Sequence, residues 1–416
     1  MLCHLKENNI IPIEQHGFLP NKSRVTNLLE SLNAWSKAFD SGKETHILYL
    51  DFEKCFDSVS HEKLVYKLSN IGFRNCALKW LQSFLSDRTQ CIKVGYKCSD
   101  FKDVISGVPQ GTVLGPILFL CYTYDLPKVI KHSSISMYAD DSKVYKVLSK
   151  PDDVHLLQED LNAVVDWCDR WQLSLNVNKT SCLVTGNCKH QPNYYVNGQL
   201  VCNVSEAFDL GVMVESNLKF KMHCNRIAKK AYFILYNMFK TFENHGDTFY
   251  LKLYCTYVRP ILESASEVWN PKEICDINTL ERVQKYFTRK LKPNIQGYLN
   301  RLKILNLQTL EERRIISDLL CFKKMWLNNF EYMPNFSNEF TFNNGNRRQY
   351  GKLNIPYCRT ETRKGFYCNR VVPLFNSIST NVLYQPYCKF KFEIKNMNFN
   401  RFCRGVASIK PLFYCT

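Results

Sequence analysis

The 416-residue sequence lacks the features of membrane and secreted chains. Glycine and proline number only 16 and 15, which excludes collagen-like and low-complexity proteins. The longest apolar run, from 113 to 122, is interrupted at Gly115–Pro116 and falls far short of the ~18 residues that a membrane span needs. The first eight residues resemble neither a secretion signal nor an import signal. We therefore expect an intracellular chain with no membrane partner.

Cysteine pairs of the kind that hold zinc are also missing. The 19 cysteines are scattered, their number is odd, and no C-x-x-C occurs, so zinc ribbons and thioredoxin-like sites have no support. The nearest approach to a metal cluster, Cys182, Cys188, His190 and Cys202, has no zinc-site spacing. We predict buried free thiols in a reducing compartment and no structural zinc.

Acidic residues are scarce in the second half only. Residues 1–216 carry 22 basic and 24 acidic side chains, whereas residues 217–416 carry 33 and 14. The net charge of +17 therefore comes from the second half. Such a surplus of basic residues favours a polyanionic partner, and nucleic acid fits better than membrane lipid. A basic surface that only keeps the protein soluble would give the same charge surplus.

The apolar pattern of the first half alternates between strands and helices. It predicts a buried strand over 47–52, a helix that Ser60 caps and Gly72 ends, two strands within 135–147 and a helix over 156–171. With an apolar fraction of 45%, the chain has ample material for a packed core.

The pattern becomes helical from about 216 to 330. Apolar faces predict helices around 227–242 and 280–291, and a linker is expected over 328–350. The tail from 351 is basic and rich in Tyr and Phe. Its rings suit base stacking beside phosphate contacts, and they suit a small aromatic core equally well.

Two segments of the first half end on carboxylates. Asp51 closes the strand over 47–52, and Asp140 and Asp141 lie in a turn between apolar strands. Adjacent aspartates in a turn are usually turn formers, but here a second strand can deliver a further carboxylate to them. Carboxylates brought together repel unless a cation lies between them, and their oxygens suit Mg²⁺. Two such ions ~3.5–4 Å apart serve in-line phosphoryl displacement, so the set predicts nucleotidyl transfer or phosphodiester cleavage.

A glycine- and proline-rich loop separates these carboxylates in the sequence. It runs from Ser106 to Pro116, contains three glycines and two prolines, and leads into an apolar helix. Such a loop lets the backbone approach a ligand closely.

Taken in order, these segments resemble the reverse transcriptases of non-LTR retrotransposons of the Jockey/CR1-like kind, over nearly the whole chain. The matching blocks are Gln15–Ser23, Tyr49–Val59, Ser106–Pro116, the YxDD signature Tyr138–Asp141, Trp171–Thr180, Phe208–Val212, Tyr257–Pro260, Glu281–Gln284 and Asn369–Ser377. Leu19, Tyr124 and Ser60 depart from the Arg, Asn and Pro that relatives carry there.

The resemblance implies an α+β fold with three regions. Residues 1–215 would form a right-hand polymerase palm with partial fingers, 216–330 an α-helical thumb-like region, and 331–416 a basic C-terminal region for nucleic-acid contact. Since the chain opens just before the late fingers motif, with no endonuclease domain, we expect an N-terminally truncated element. Nuclear location is implied by the resemblance alone.

The resemblance also implies the site residues. The catalytic metal ligands would be Asp51, Asp140 and Asp141, with the Phe52 carbonyl, and the cofactor two Mg²⁺ ions with Mn²⁺ as a substitute. The nucleotide-binding residues would be Phe52, Phe56, Gln110, Gly111 and Lys179. Phe56 would exclude a 2′-hydroxyl, and Lys179 would approach the triphosphate and protonate the pyrophosphate. Phe56 could equally be a core residue packed below the strand. Lys179 could equally be an ordinary exposed lysine on a loop.

The implied function is RNA-directed DNA synthesis with an RNA template, a DNA primer and dNTP. The alternative is a catalytically silent nucleic-acid-binding remnant of a truncated element, which the charge asymmetry supports whether or not the chain is active. Metal-dependent hydrolysis fits poorly, because no His joins the carboxylates in the sequence.

Overall fold

The computed structural model describes residues 1–186, 192–243, 245–343 and 351–405. The chain divides into two compact units, and each unit is assembled from two separate stretches. The first unit combines residues 1–27 and 42–207, and the second combines 28–41 with residues from 208 onward. No helix of the described residues is both long enough and apolar enough to span a bilayer.

Helices occur in both units. In chain order they are α1 Leu2–Glu7, α2 Arg24–Asp40, α3 His61–Asn70, α4 Asn75–Leu85, α5 Leu114–Thr123, α6 Asp153–Trp171, α7 Lys221–Thr241, α8 Asp247–Leu253, α9 Arg259–Glu263, α10 Ser266–Trp269, α11 Ile274–Leu291, α12 Tyr298–Ile304, α13 Leu310–Leu327, α14 Pro334–Ser337, α15 Glu361–Gly365, α16 Tyr367–Asn376, α17 Thr380–Leu383 and α18 Tyr387–Asn396. Short 3₁₀ turns cover Leu126–Val129 and Asn400–Phe402, and a π-helical turn covers Tyr254–Val258.

The strands lie mostly in the first unit. They are β1 Thr45–Leu50, β2 Thr89–Gln90, β3 Lys93–Val94, β4 Lys97–Cys98, β5 Lys102–Asp103, β6 Ser134–Tyr138, β7 Asp141–Val147, β8 Ser181–Thr185, β9 Tyr195–Val196, β10 Gln199–Leu200, β11 Cys202–Val204, β12 Glu206–Asp209 and β13 Val212–Glu215. Five of them form one sheet in the order β11-β8-β1-β7-β6. In it, β1 runs antiparallel to both β7 and β8.

The centre of this sheet is where the sequence predicts a buried strand. Ile47 and Leu48 of β1 are fully buried, as expected for a strand covered on both faces. The hairpin of β6 and β7 is confirmed, with Ala139 and Asp140 as its turn and Asp141 as the first residue of β7. The expected mixture of helices and strands is confirmed, whereas the palm, fingers and thumb assignment and its boundaries remain predictions.

The predicted helices are present with small changes at their ends. Ser60 caps α3 by accepting the Lys63 N–H, and the helix predicted over 156–171 begins three residues earlier as α6. The helix expected around 227–242 ends one residue earlier, at Thr241, so Phe242 does not continue the buried face of α7. The backbone is extended at Phe242, its side chain is exposed, and its carbonyl accepts the Tyr250 hydroxyl.

The prediction of a linker over 328–350 is wrong for its described part, 328–343. Phe330, Met333, Phe336 and Phe340 are all buried there, because successive short turns, including α14, direct the rings inward. These turns lack the 3.6-residue period that reveals a helix in a sequence. Residues 344–350 lie outside the described part of the chain.

The C-terminal region contains a small aromatic core. Tyr367, Phe375 and Phe390 are buried, whereas Tyr357 and Tyr384 are exposed. The explanation by a small aromatic core therefore holds for the three buried rings and not for the two exposed ones.

Two arginines of this basic region are internal. Arg370 forms a bidentate pair with the buried Asp318, with Nε–Oδ2 2.8 Å and Nη2–Oδ1 2.9 Å. Arg363 donates to Asn33 Oδ1 at 2.8 Å and to Glu339 Oε2 at 2.9 Å. These two side chains form internal ion pairs and hydrogen bonds. The positive charge that faces solvent therefore belongs to other residues of the region.

Candidate active site

Strand register brings the carboxylates to one edge of the five-stranded sheet. Leu50, the last residue of β1, is paired with Ser142 of β7. Continuing that antiparallel register by one residue sets Asp51 opposite Asp141. The Asp51 side chain is 40% exposed, Asp140 is half-buried and Asp141 is exposed. The sheet thus gathers the predicted aspartates at a solvent-accessible hairpin.

The hairpin turn is strained and is supported by a glutamine. Ala139 has φ +58°, while Asp140 has a negative φ, as in a type II′ turn, where glycine is usual. Gln15 Oε1 accepts the N–H groups of Ala139, at 2.9 Å, and Gly17, at 2.7 Å. A side chain on Gly17 would come within 2.4 Å of the Ala139 nitrogen. The segment before α2 therefore fixes the backbone that carries Asp140.

Sequence reasoning included Gln15 and Gly17 in a motif but missed this role. The signal available was weak, since a glutamine and a glycine two residues apart have no periodicity to interpret. The contact also joins segments more than 120 residues apart, which no local pattern reveals.

A buried cysteine touches one of the predicted catalytic carboxylates. Cys55 Sγ donates to Asp140 Oδ2 at 3.3 Å, and its side chain is buried. Burial, and next the Asp140 charge, raise the pKa of the Cys55 thiol far above its ordinary value, so the sulfur keeps its proton and acts as the donor. This role was also missed, because a free cysteine usually serves core packing.

Lys179 contacts the carboxylate that follows β1. Its Nζ lies 3.5 Å from Asp51 Oδ2, and its side chain is 68% exposed. The loop that carries it is attached to the end of β1, since Asn176 N donates to the Asp51 carbonyl at 2.8 Å. Lys179 is thus an exposed loop lysine that contacts a predicted metal ligand, and its approach to a triphosphate stays a prediction.

Phe52 and Phe56 are both packed. Phe52 is buried and forms an antiparallel bridge with Leu175. Phe56 stacks on Phe119 with ring centroids 4.4 Å apart and meets Phe18 edge-on at 6.3 Å. Core packing therefore accounts for part of the Phe56 surface, and its half-buried ring stays a candidate for nucleotide contact.

The glycine-rich loop lies against the segment that follows Asp51. Gly107 has φ +88°, and a β-carbon there would meet the Asp57 backbone at 2.9 Å, so only glycine fits. Gln110 Nε2 donates to Asp57 Oδ1 at 2.9 Å, which places Gln110 beside the segment that follows Asp51. Gly111 is exposed, has φ +74° and faces open space.

Three carboxylates belong to this edge of the sheet, and carboxylate oxygens are the ligands that Mg²⁺ prefers. In the side-chain arrangement of the described residues, however, no group of three or more His, Cys, Asp or Glu side chains could hold a metal ion. Asp51 instead contacts the Lys179 ammonium, and Asp140 accepts the Cys55 thiol. Of the four residues whose spacing matched no zinc site, Cys188 and His190 lie outside the described residues.

Comparison with known proteins identifies the class to which this fold and site belong. The model of the family "Reverse transcriptase (RNA-dependent DNA polymerase)" matches residues 1–220, a stretch that includes every predicted site residue. The chain belongs to this reverse transcriptase family. Together with the curated relatives described next, this match confirms the resemblance to non-LTR retrotransposon enzymes drawn from the motifs.

The curated relatives narrow the class to mobile elements. The probable RNA-directed DNA polymerase from transposon BS of Drosophila melanogaster is 27% identical over 74% of this chain and 36% of that protein. The RNA-directed DNA polymerases from mobile element jockey are 26% identical over 68% of this chain and 32% of that protein in Drosophila funebris, and 30% identical over 53% and 25% in D. melanogaster. The chain thus spans about a third of the length of the first two relatives.

Solved structures add little to this assignment. The apo telomerase from Candida tropicalis is 10% identical over 80% of this chain and 58% of that one, with a TM-score of 0.41. A score of that size carries no argument about the site.

Proposed function

We propose that the chain is the RNA-directed DNA polymerase of a non-LTR retrotransposon. It would join the 3′-hydroxyl of a DNA primer to the α-phosphate of a dNTP on an RNA template, with release of pyrophosphate. The observation that carries the proposal is the pairing of β1 with β7, whose register sets Asp51 opposite Asp141 beside the Asp140 turn, within the stretch that matches the family.

The carboxylates would hold two Mg²⁺ ions. Asp51, Asp140 and Asp141 would be the ligands, and the Phe52 carbonyl oxygen would complete one coordination shell. Bound there, Mg²⁺ would stabilise the charge that develops on the attacking and leaving oxygens. Before binding, Lys179 offsets the negative charge of Asp51 across 3.5 Å, and the exposure of its side chain leaves it free to swing toward a triphosphate.

The neighbouring residues would select and orient the nucleotide. Phe56, held by its stack on Phe119, would present a ring edge against a ribose 2′-hydroxyl. Gln110 and Gly111 would line the nucleotide and template pocket, where the Gln110 contact to Asp57 keeps the loop near the carboxylates.

The helical region from 216 to 330 would act as a thumb that contacts the template–primer duplex. Helix α7 carries five basic residues and no acidic residue. Its exposed side combines Lys229 and Lys240 with Phe233, which is 67% exposed, and Tyr236, which is 60% exposed. Cations and rings on one helix face suit phosphate contact and base stacking. The exposed cations of residues 331–416 would extend this contact.

A nucleic-acid-binding remnant without catalysis is the second candidate. The observation that favours it is the charge distribution, because the basic surplus lies outside the family-matched region and does not depend on the carboxylates.

Primer extension by the purified chain, on an RNA template with a DNA primer and Mg²⁺, tests the proposal. We expect extension by the wild type and none by the double variant Asp140→Ala, Asp141→Ala. The matched control is Asp166→Ala, Asp169→Ala, which removes two exposed carboxylates of α6 and should leave extension intact. If the wild type binds primed template in a salt-sensitive way without extending it, the remnant is favoured.

A further inference from the structure

A cavity of about 440 Å³ lies within the second unit, formed by residues of α13 and α16 and by the segments 355–358 and 402–404. Its apolar wall includes Ile315 and Leu374, both buried. Tyr357, which is 90% exposed, also lines it. The volume falls within the range of small-molecule sites, and no predicted site residue lines the cavity.

A buried amide oxygen in the cavity wall, Asn369 Oδ1, has no hydrogen-bond partner. Asn369 is 93% buried, and its Nδ2 donates to the Arg363 carbonyl at 2.6 Å. That bond fixes the orientation of the amide, yet Asn369 Oδ1 receives no hydrogen bond. A buried acceptor left unsatisfied costs ~1–3 kcal/mol, so this oxygen calls for an N–H or O–H donor from a bound molecule.

The acidic groups of the wall are already engaged by the protein. Asp318 is held by Arg370 through two hydrogen bonds. The Glu311 carboxylate accepts the backbone N–H groups of Arg404, at 2.7 Å, and Gly405, at 3.0 Å. Asp318 is therefore neutralised by Arg370, whereas the Glu311 oxygens are occupied by the two N–H groups and keep their charge.

The cationic groups leave a positive field at the cavity. Lys272, Lys364 and Arg404 all line it. Burial, and then the charges of Arg404 and Lys364, lower the pKa of Lys272. Glu361, whose side chain is 69% exposed, is the counterion of Lys272 and Lys364. An anionic group could replace this solvent-exposed carboxylate.

A ligand that suits these features has an apolar planar body, an N–H donor and a negative charge. A nucleotide unit has all three, since every base offers at least one N–H and every unit carries a phosphate. We propose that the cavity binds one unpaired nucleotide of a single-stranded nucleic acid, with the base N–H on Asn369 Oδ1 and the phosphate on Lys364 and Arg404. The inference deepens the proposed function, on which it rests for the presence of an RNA or DNA strand.

Binding and crosslinking of a short single-stranded oligonucleotide that carries 5-iodouridine test this proposal. The cavity-filling variant Pro373→Trp changes an exposed lining residue within α16, where loss of proline does not weaken a helix. We expect a crosslink to Tyr357 in the wild type, its loss in Pro373→Trp, and about tenfold weaker binding, as for removal of one base contact.

The phosphate contact has its own variant. Lys364→Ala should lower the slope of log affinity against log salt by about 1, whereas the control Lys150→Ala, an exposed lysine of the first unit, should change neither this slope nor the Tyr357 crosslink. Thermal unfolding of each variant verifies that it is folded. Free uridine monophosphate, added at the oligonucleotide concentration before irradiation, should not lower the yield of the Tyr357 crosslink. A lower yield would show that a free nucleotide, rather than a strand, occupies the cavity.

The two proposals fail in different ways. Primer extension by the wild type, together with unchanged binding and crosslinking in Pro373→Trp, would overturn the cavity assignment alone. A Tyr357 crosslink lost in Pro373→Trp, in a chain that extends no primer, would overturn the polymerase and support the cavity.

Discussion

At the scale of single residues, Asp140 depends on the thiol of Cys55, which donates to it from the protein interior. Groups that hydrogen-bond to metal ligands typically contribute a factor of ~10–100 in metal affinity or activity. We expect Cys55→Ala to lower the rate of primer extension about tenfold and to weaken Mn²⁺ binding measured by electron paramagnetic resonance. Affinity for primed template should stay unchanged.

Cys55→Ser is the matched control, because its hydroxyl also donates to Asp140. It should retain most of the extension rate and the Mn²⁺ affinity. Equal losses in the Ala and Ser variants would show that Cys55 matters for packing and not as a donor.

Lys67 is a second buried group with a measurable consequence. Its ammonium, 1% exposed, donates to Asp125 Oδ1 at 2.6 Å and lies 3.7 Å from the Trp171 ring centre. Burial lowers the pKa of Lys67 from 10.5 to about 8, against the opposing effect of Asp125. Below pH 8 both folded and unfolded chains hold this proton, and the cost of burying the charge is fully present.

Between about pH 8 and 10.5 only the unfolded chain keeps the Lys67 proton. The free energy of unfolding should therefore rise with pH in this window, by at most ~1.4 kcal/mol per pH unit. Denaturant unfolding should show this rise in the wild type and in the exposed-lysine control Lys79→Met, but not in Lys67→Met. The same pH dependence in all three proteins would contradict the assignment.

At the scale of elements, the β6–β7 hairpin depends on Gln15. Replacing Gln15 with Leu leaves the buried Ala139 N–H and the Gly17 N–H without their acceptor, which should cost ~2–6 kcal/mol in unfolding free energy at ~1–3 kcal/mol for each unsatisfied group. The exposed Gln82→Leu in α4 is the control, with an expected change below ~0.5 kcal/mol. A denaturant midpoint unchanged in Gln15→Leu would show that the turn holds without this support.

The elements with a strong apolar period were predictable from sequence, and those without one were not. β1 and α6 each bury a regularly spaced set of apolar residues, so the spacing of those residues in the sequence predicts both elements. The hairpin position of Asp140 followed from its apolar flanks. The burial of Phe336 and Phe340 did not, since irregular turns bury rings without any repeat.

For the candidate site, sequence identified the carboxylates but not the groups that hold them. Asp51 and Asp141 lie at strand ends, where local pattern is informative. The contacts of Gln15 and Cys55 depend on tertiary approach across 124 and 85 positions of sequence, and that information is absent from any short window.

At the scale of the whole molecule, the uneven charge should make nucleic-acid binding strongly salt-dependent. If six to ten phosphates are contacted, affinity should fall by about 10³–10⁵ between 50 and 200 mM salt. The double variant Lys229→Ala, Lys240→Ala on α7 should reduce the slope by about 2. The control Lys150→Ala lies in the first unit and should leave the slope unchanged.

Most of α2, from Leu28 to its end, belongs to the unit that otherwise begins at residue 208. Asp40 accepts the Thr360 N–H across 320 positions, and Asn33 accepts from Arg363 across 330. During synthesis this helix leaves the ribosome long before the residues that complete it, and contacts of such high order close slowly. A fragment cut where the family match ends, near residue 220, would lack those residues, so that boundary does not define an autonomously folding piece.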